Sequence, residues 1–151
     1  EEMRKAVFNS LVGSSVVIKA AAVSDYRPKV ISQKKIKKGS SNTTLPLGKT
    51  KDILEELGKK KGNRILIGFA AETEDLIANA KKKLKEKNLD FIVVNDVTRP
   101  EAGFGSDTNQ VKIIYPSGQI KDLPLMTKEE VSQLILDEVV RLLKRRKKQK
   151  E

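Results

Sequence analysis

Apolar positions along the chain change period several times, and each change marks an element. Met3, Ala6, Val7 and Leu11 recur at helical spacing over residues 2–11. Gly13 and Ser14-Ser15 break that pattern, and the aliphatic run 16–22 then reads as a buried strand. Residues 23–50 show no helical period and are rich in Lys, Ser, Thr, Gly and Pro. Within them, 43–47 suits one arm of a small hairpin. Thr50 is expected to cap a helix over 51–60 that turns Ile53, Leu54 and Leu57 to one side. Gly62 ends it, and 65–70 is the next strand. Thr73 is expected to cap a helix over 74–87, with Leu76, Ile77, Ala80 and Leu84 inward. A third strand, 91–94, closes in Asn95-Asp96.

Three strands joined by two helix-bearing crossovers predict a parallel sheet with right-handed connections. The end of the chain differs. Residues 111–115 and 120–123 flank Pro116-Ser117-Gly118-Gln119, a hairpin signal. Thr127 with Glu130 forms a capping-box pair for a last helix bearing Val131, Leu134, Ile135, Val139 and Leu142. The expected class is α/β: a Rossmann-like parallel sheet with flanking helices and a C-terminal β-hairpin plus helix.

Composition narrows the chemistry. The 151 residues suffice for one domain with a core, which must be mostly aliphatic because aromatics are only 4%. The net charge of +11 favours anionic partners such as nucleotides, nucleic acid or acidic surfaces. Much of it crowds the end, in Arg141, Lys144, Arg145, Arg146, Lys147, Lys148 and Lys150, so 144–151 reads as a solvated basic tail. The sequence has neither Cys nor His. Thiol catalysis, Cys/His zinc sites and Ser-His-Asp chemistry are therefore excluded within it. The missing Cys suits a cytoplasmic protein, and no apolar run is long enough to span a membrane.

In a parallel sheet, ligands bind in the crevice beyond the carboxyl ends of the strands. All three strands end in small or polar clusters there: Ala20 to Arg27, Gly68 to Thr73, and Asn95 to Thr98. Small alanines let a ligand approach the backbone. Asp25 can accept hydrogen bonds from a ribose or a base. Lys35, Lys37 and Lys38 can meet phosphate oxygens. Lys83 and Lys87, four apart, share a helix face and can reach a polyphosphate. The same lysines also suit a solvated face, and the same strand ends suit plain polar turns. There is no Walker A sequence and no Gly-rich dinucleotide fingerprint. Phosphate recognition would thus fall to lysines and strand-end amides.

These pieces together resemble one family. AAVSDYRP at 21–28, KIKK at 35–38, GFAAET at 68–73, KNLD at 87–90, NDV at 95–97 and GFGSDTNQV at 103–111 match, in order, the ligase domain of bacterial phosphopantothenoylcysteine synthetases. That domain is often fused to a flavin decarboxylase. The resemblance implies a CTP-using, Mg²⁺-assisted, homodimeric ligase of coenzyme A biosynthesis. CTP activates the carboxylate of 4'-phosphopantothenate as an acyl-cytidylate, pyrophosphate leaves, and the cysteine amine displaces CMP. Carried over by motif, Ala21 and Asp25 line the cytidine and ribose site. Lys35 is the catalytic, phosphate-contacting lysine on a flap spanning 29–48. Asp52 and Ile53 approach the nucleotide, in a stretch where the family's Asn-Pro-Asp-Ile reads Thr50-Lys51-Asp52-Ile53. Phe69 packs near the base, and Lys83 and Lys87 complete the anion site. The family's Asn-x-x-Ser-Ser-Gly motif, assigned to the acyl-cytidylate, is absent, so 1–143 is expected to be an N-terminally truncated CTP-binding domain of doubtful activity by itself. Two other readings compete. A nucleic-acid module is disfavoured by the few aromatics for stacking. A dimerisation unit using 43–47 is compatible with the ligase.

Overall fold

In the computed structural model, residues 1–35, 44–72, 75–96 and 105–149 are described. Helix α1 (Glu2–Asn9) precedes strand β1 (Val16–Lys19). Strands β2 (Tyr26–Pro28) and β3 (Leu47–Lys49) follow, then helix α2 (Ile53–Lys59). The chain continues through β4 (Ile65–Glu72), α3 (Leu76–Glu86) and β5 (Phe91–Asp96). It ends with β6 (Thr108–Asn109), β7 (Val111–Ile114), β8 (Ile120–Asp122), β9 (Met126–Thr127) and the long α4 (Lys128–Lys148).

The central sheet has the order β1-β4-β5-β7-β8. Its first three strands are parallel, and the β7–β8 hairpin joins antiparallel to β5. The period of two along the strands divides the core into two layers. Leu66, Ala70, Ile92, Val94 and Ile114 pack with Ile53, Leu54, Leu57, Ala80 and Leu84 of α2 and α3. Ile65, Ile67, Phe91, Val93 and Ile113 pack with Val131, Ile135 and Val139 of α4. The expected α/β architecture is thus observed. Both crossover helices lie on one face, as crossovers of a single hand require.

Close contact between α2 and the end of α3 depends on a glycine. A Cβ on Gly58 would stand 2.2 Å from the carbonyl oxygen of Lys87. The Asn88 side chain, on a residue with φ of 52°, donates to the Gly58 carbonyl at 3.2 Å. At the amino edge of the sheet, Asp90 ties three elements together. Its carboxylate accepts from the Leu66 amide at 2.7 Å, from Lys61 at 2.9 Å and from Arg146 of α4.

Several expectations need correction. The first strand stops at Lys19, and 20–25 continue outside the sheet. The small hairpin exists, but its second arm is Leu47–Lys49 rather than 43–47, pairing with Tyr26–Pro28. Residue 43 lies outside the described residues. Asp52, not Thr50, caps α2, which is shorter at both ends than 51–60. The Thr50 hydroxyl is spent elsewhere, donating to the Ser24 carbonyl at 2.6 Å. The cap expected from Thr73 lies outside the described residues; α3 begins after Asp75, whose side chain makes no capping bond. The capping box of Thr127 and Glu130 is present. Of the basic end at 144–151, residues through Lys148 are helical and continue α4. Arg146 there also donates to the Asn63 carbonyl at 2.7 Å. Arg141 pairs with the buried Glu138.

Gly58→Ala puts two effects in opposition. Helix propensity favours Ala by about 1 kcal/mol. The clash with a backbone oxygen costs about 1–3 kcal/mol or more. We expect the clash to win, so urea unfolding should show a net loss of stability; a gain would mean that α2 and α3 separate freely.

Candidate functional site

A cleft of about 650 Å³ opens beyond the carboxyl ends of β1, β4 and β5. One wall is the crossover from Lys19 to Asp25, which is exposed almost throughout. That crossover is held by the β2–β3 hairpin and its flank. The Thr50 amide donates to the Asp25 carbonyl at 2.8 Å, beside the Thr50–Ser24 bond. The floor is Phe69, Ala70 and Ala71 at the end of β4. The small side chains of Ala70 and Ala71 keep it open. Behind them, a Cβ on Gly68 would come within 2.7 Å of Leu54, so that glycine serves helix packing.

The opposite walls come from helices. Asp52, Lys83 and Lys87 enter from α2 and α3, while Lys128 and Ser132 enter from the first turns of α4. Asn95 and Asn109 lie between these sides, with the Asn95 amide donating to the Asn109 side-chain oxygen at 3.1 Å. Strands β6 and β9 pair just before α4 and set this side of the cleft.

Of the eight residues expected from sequence, the cleft brings seven together: Ala21, Asp25, Asp52, Ile53, Phe69, Lys83 and Lys87. Ile53 is 4% exposed and gives the cleft little more than its edge. Lys35 is exposed and does not line the cleft. Lys37 and Lys38 lie outside the described residues, as do 97–104. Burial separates the lysines of α3. Lys81, Lys82 and Lys85 are exposed, whereas Lys83 and Lys87 are half-buried against the cleft. Partial burial thus sets Lys83 and Lys87 apart from the first three.

Asp52 is the electrostatic pivot. One carboxylate oxygen accepts from the Leu54 and Glu55 amides at 3.0 Å, capping α2. The other meets the Lys87 ammonium at 2.7 Å. Burial pushes the Asp52 carboxyl up. The bonds from Lys87 and the two amides outweigh that, and its pKa lies below the ordinary carboxylate value. Sequence reasoning missed Lys19, Lys128 and Asn109. Lys19 sits at the last position of a strand, where alternation alone did not say which way it faces. Lys128 looked like an ordinary residue beginning a helix.

Residues 1–143 match the family model described as DNA/pantothenate metabolism flavoprotein C-terminal domain. The chain belongs to this family. It is 50% identical over 143 residues to the coenzyme A biosynthesis bifunctional protein CoaBC of Bacillus subtilis (strain 168), covering 95% of this chain and 35% of that protein. It is 40% identical to the CoaBC of Escherichia coli (strain K12), covering 92% and 35%. It thus spans about a third of the length of these curated relatives. The crystal structure of the C-terminal domain of a CoaBC aligns with a TM-score of 0.74 at 42% identity, covering 94% of this chain and 63% of that one. These findings agree with the resemblance drawn from the ordered motifs.

Asp52→Asn keeps the helix cap and removes the charge. A carboxylate whose pKa is depressed in the fold contributes stability above its unfolded value of about 3.9. That stability is lost as pH falls through the lower folded value. The variant should be less stable than wild type at pH 7, and the gap should shrink progressively below about pH 4. Urea denaturation across that range checks this; a gap independent of pH would assign the loss to packing.

Proposed function

We propose that this chain is the CTP-binding part of a phosphopantothenate–cysteine ligase of coenzyme A biosynthesis. The observation that carries the reading is the cleft itself, where seven residues from four separate segments of the chain meet at the carboxyl edge of a parallel sheet. In this reading Lys83 and Lys87 neutralise the triphosphate and Asp25 accepts hydrogen bonds from the ribose. Ala21 leaves room for the nucleotide beside the backbone, and Phe69 offers its ring to the base. Lysines aimed at the phosphates stabilise charge as the carboxylate of 4'-phosphopantothenate attacks the α-phosphorus and pyrophosphate departs. The cysteine amine then attacks the acyl carbon, and CMP leaves.

Among the described residues, no three acidic side chains gather as a metal cluster. In the cleft, Asp52 is already engaged by two amides and Lys87. These residues do not form a dedicated Mg²⁺ cage, and no step here is routed through the metal. Lys35 would reach the phosphates only if its arm, or that of a second copy, moved over the cleft. The arm supports association. Tyr26, Val30, Ile31, Leu45 and Leu47 are apolar and between 50% and 78% exposed. A two-stranded hairpin also leaves backbone donors and acceptors open at its edges. Among the described residues, no helix is long and apolar enough to cross a membrane.

Isothermal calorimetry tests the function. CTP should bind more tightly than ATP. Lys83→Ala and Lys87→Ala should each weaken CTP by about 1.5–3 kcal/mol, with little effect on cytidine. Equal affinity for CTP and ATP would overturn the cytidine assignment. Normal CTP binding by both variants would return those lysines to solvated surface.

Association is tested separately by light scattering. The wild-type chain should be dimeric, and Ile31→Asp should shift it toward monomer. A monomeric wild type would remove the arm from consideration.

A further inference from the structure

Lys19 is a cation of the cleft that lies outside the ordered motifs. It closes β1, and its half-buried side chain lines the cleft beside Ala21, Asp25, Asp52 and Lys87. Among the described residues its ammonium makes one hydrogen bond, at 2.9 Å to the Ala21 carbonyl, and no carboxylate lies within ion-pair distance. Lys87, by contrast, is paired with Asp52 at 2.7 Å. An ammonium has three donors. Lys19 therefore holds a charge in a partly desolvated place with a single neutral acceptor.

Its surroundings describe the ligand that would complete it. Among the described residues, five lysines line the cleft, Lys19, Lys51, Lys83, Lys87 and Lys128, against two aspartates, Asp25 and Asp52. Asp52 is already paired with Lys87. Burial pushes the Lys19 pKa below its ordinary value, Asp52 and Asp25 oppose that, and the Lys87 charge adds to it. Among the described lining residues, lysines thus outnumber aspartates.

We propose that Lys19 is a phosphate-binding residue, leaving the Ala21 carbonyl to contact the polyphosphate chain of the bound nucleotide together with Lys83 and Lys87. The inference rests on the nucleotide reading above and adds to it a contact from β1, on the side of the cleft opposite α4. A purely structural alternative exists: Lys19 could serve only to hold the Ala21 carbonyl and the crossover behind it.

Three variants separate these roles. Lys19→Met keeps the apolar stem, Lys19→Gln keeps an N–H donor for Ala21 without charge, and Lys19→Arg keeps the charge. Calorimetry with CTP, cytidine and inorganic tripolyphosphate is the readout, with thermal unfolding as a check on folding. We expect Met and Gln each to weaken CTP and tripolyphosphate about ten-fold or more, with cytidine changed less than about two-fold and Arg close to wild type. Wild-type affinity for CTP in the Gln variant would overturn the proposal in favour of the structural role, as would equal weakening of cytidine and CTP. Tripolyphosphate keeps the two readings apart. If the wild type binds it and Lys19→Met does not, but CTP and ATP bind alike, Lys19 stands and the cytidine reading falls. If the wild type binds neither CTP nor tripolyphosphate, both fall.

Discussion

The contact between α2 and the last turn of α3 governs this molecule. Because Gly58 has no side chain, the α2 backbone lies directly against the carbonyl of Lys87. The start of α2 presents Asp52, and the end of α3 sends the Lys87 side chain back to it. A helix–helix packing distance thus becomes an ion pair on the wall of a cleft. Any residue larger than glycine would part the helices, and the charges would lose register with the strand ends. The same approach seats Leu54 and Leu57 in the layer under the sheet. Core and site therefore share one steric requirement.

The electrostatics follow from that placement. A capping carboxylate satisfies two helix amides and one ammonium at once, which keeps it ionised despite partial burial. It compensates part of the lysine charge around it and leaves the rest exposed to a ligand. An anion entering the cleft replaces lost hydration with fixed cations, so it need not wait for the protein to reorganise. Small residues along β4 and the β1 crossover keep the floor open to it.

Much of this was legible in the sequence because its signals were local. Alternation located the buried strands, helical spacing located the helices, and Thr127 with Glu130 announced the capping box that is observed. The convergence of Asp25, Phe69 and Asn95 was legible because parallel strands must end on one edge. What was not legible depended on contacts distant in sequence. Thr50 and Asp52 are both good caps, and only the bond from Thr50 to Ser24 decides between them. Lys19 ends a strand, and its facing depends on where the crossover leaves the sheet. Arg146 looked like one charge in a solvated run, yet its partners, Asn63 and Asp90, lie more than fifty residues away.

Asp90 has a consequence for how such a protein can change. It gathers Lys61, the Leu66 amide and Arg146 at the amino edge of the sheet, so both helical layers are fastened at the end away from the cleft. This fastening draws on none of the residues that line the cleft. Substitutions around the cleft can then be sampled without loosening the fastening that holds the layers together. A lineage can vary the lining of the cleft while inheriting the same scaffold, and that separation makes the fold evolvable.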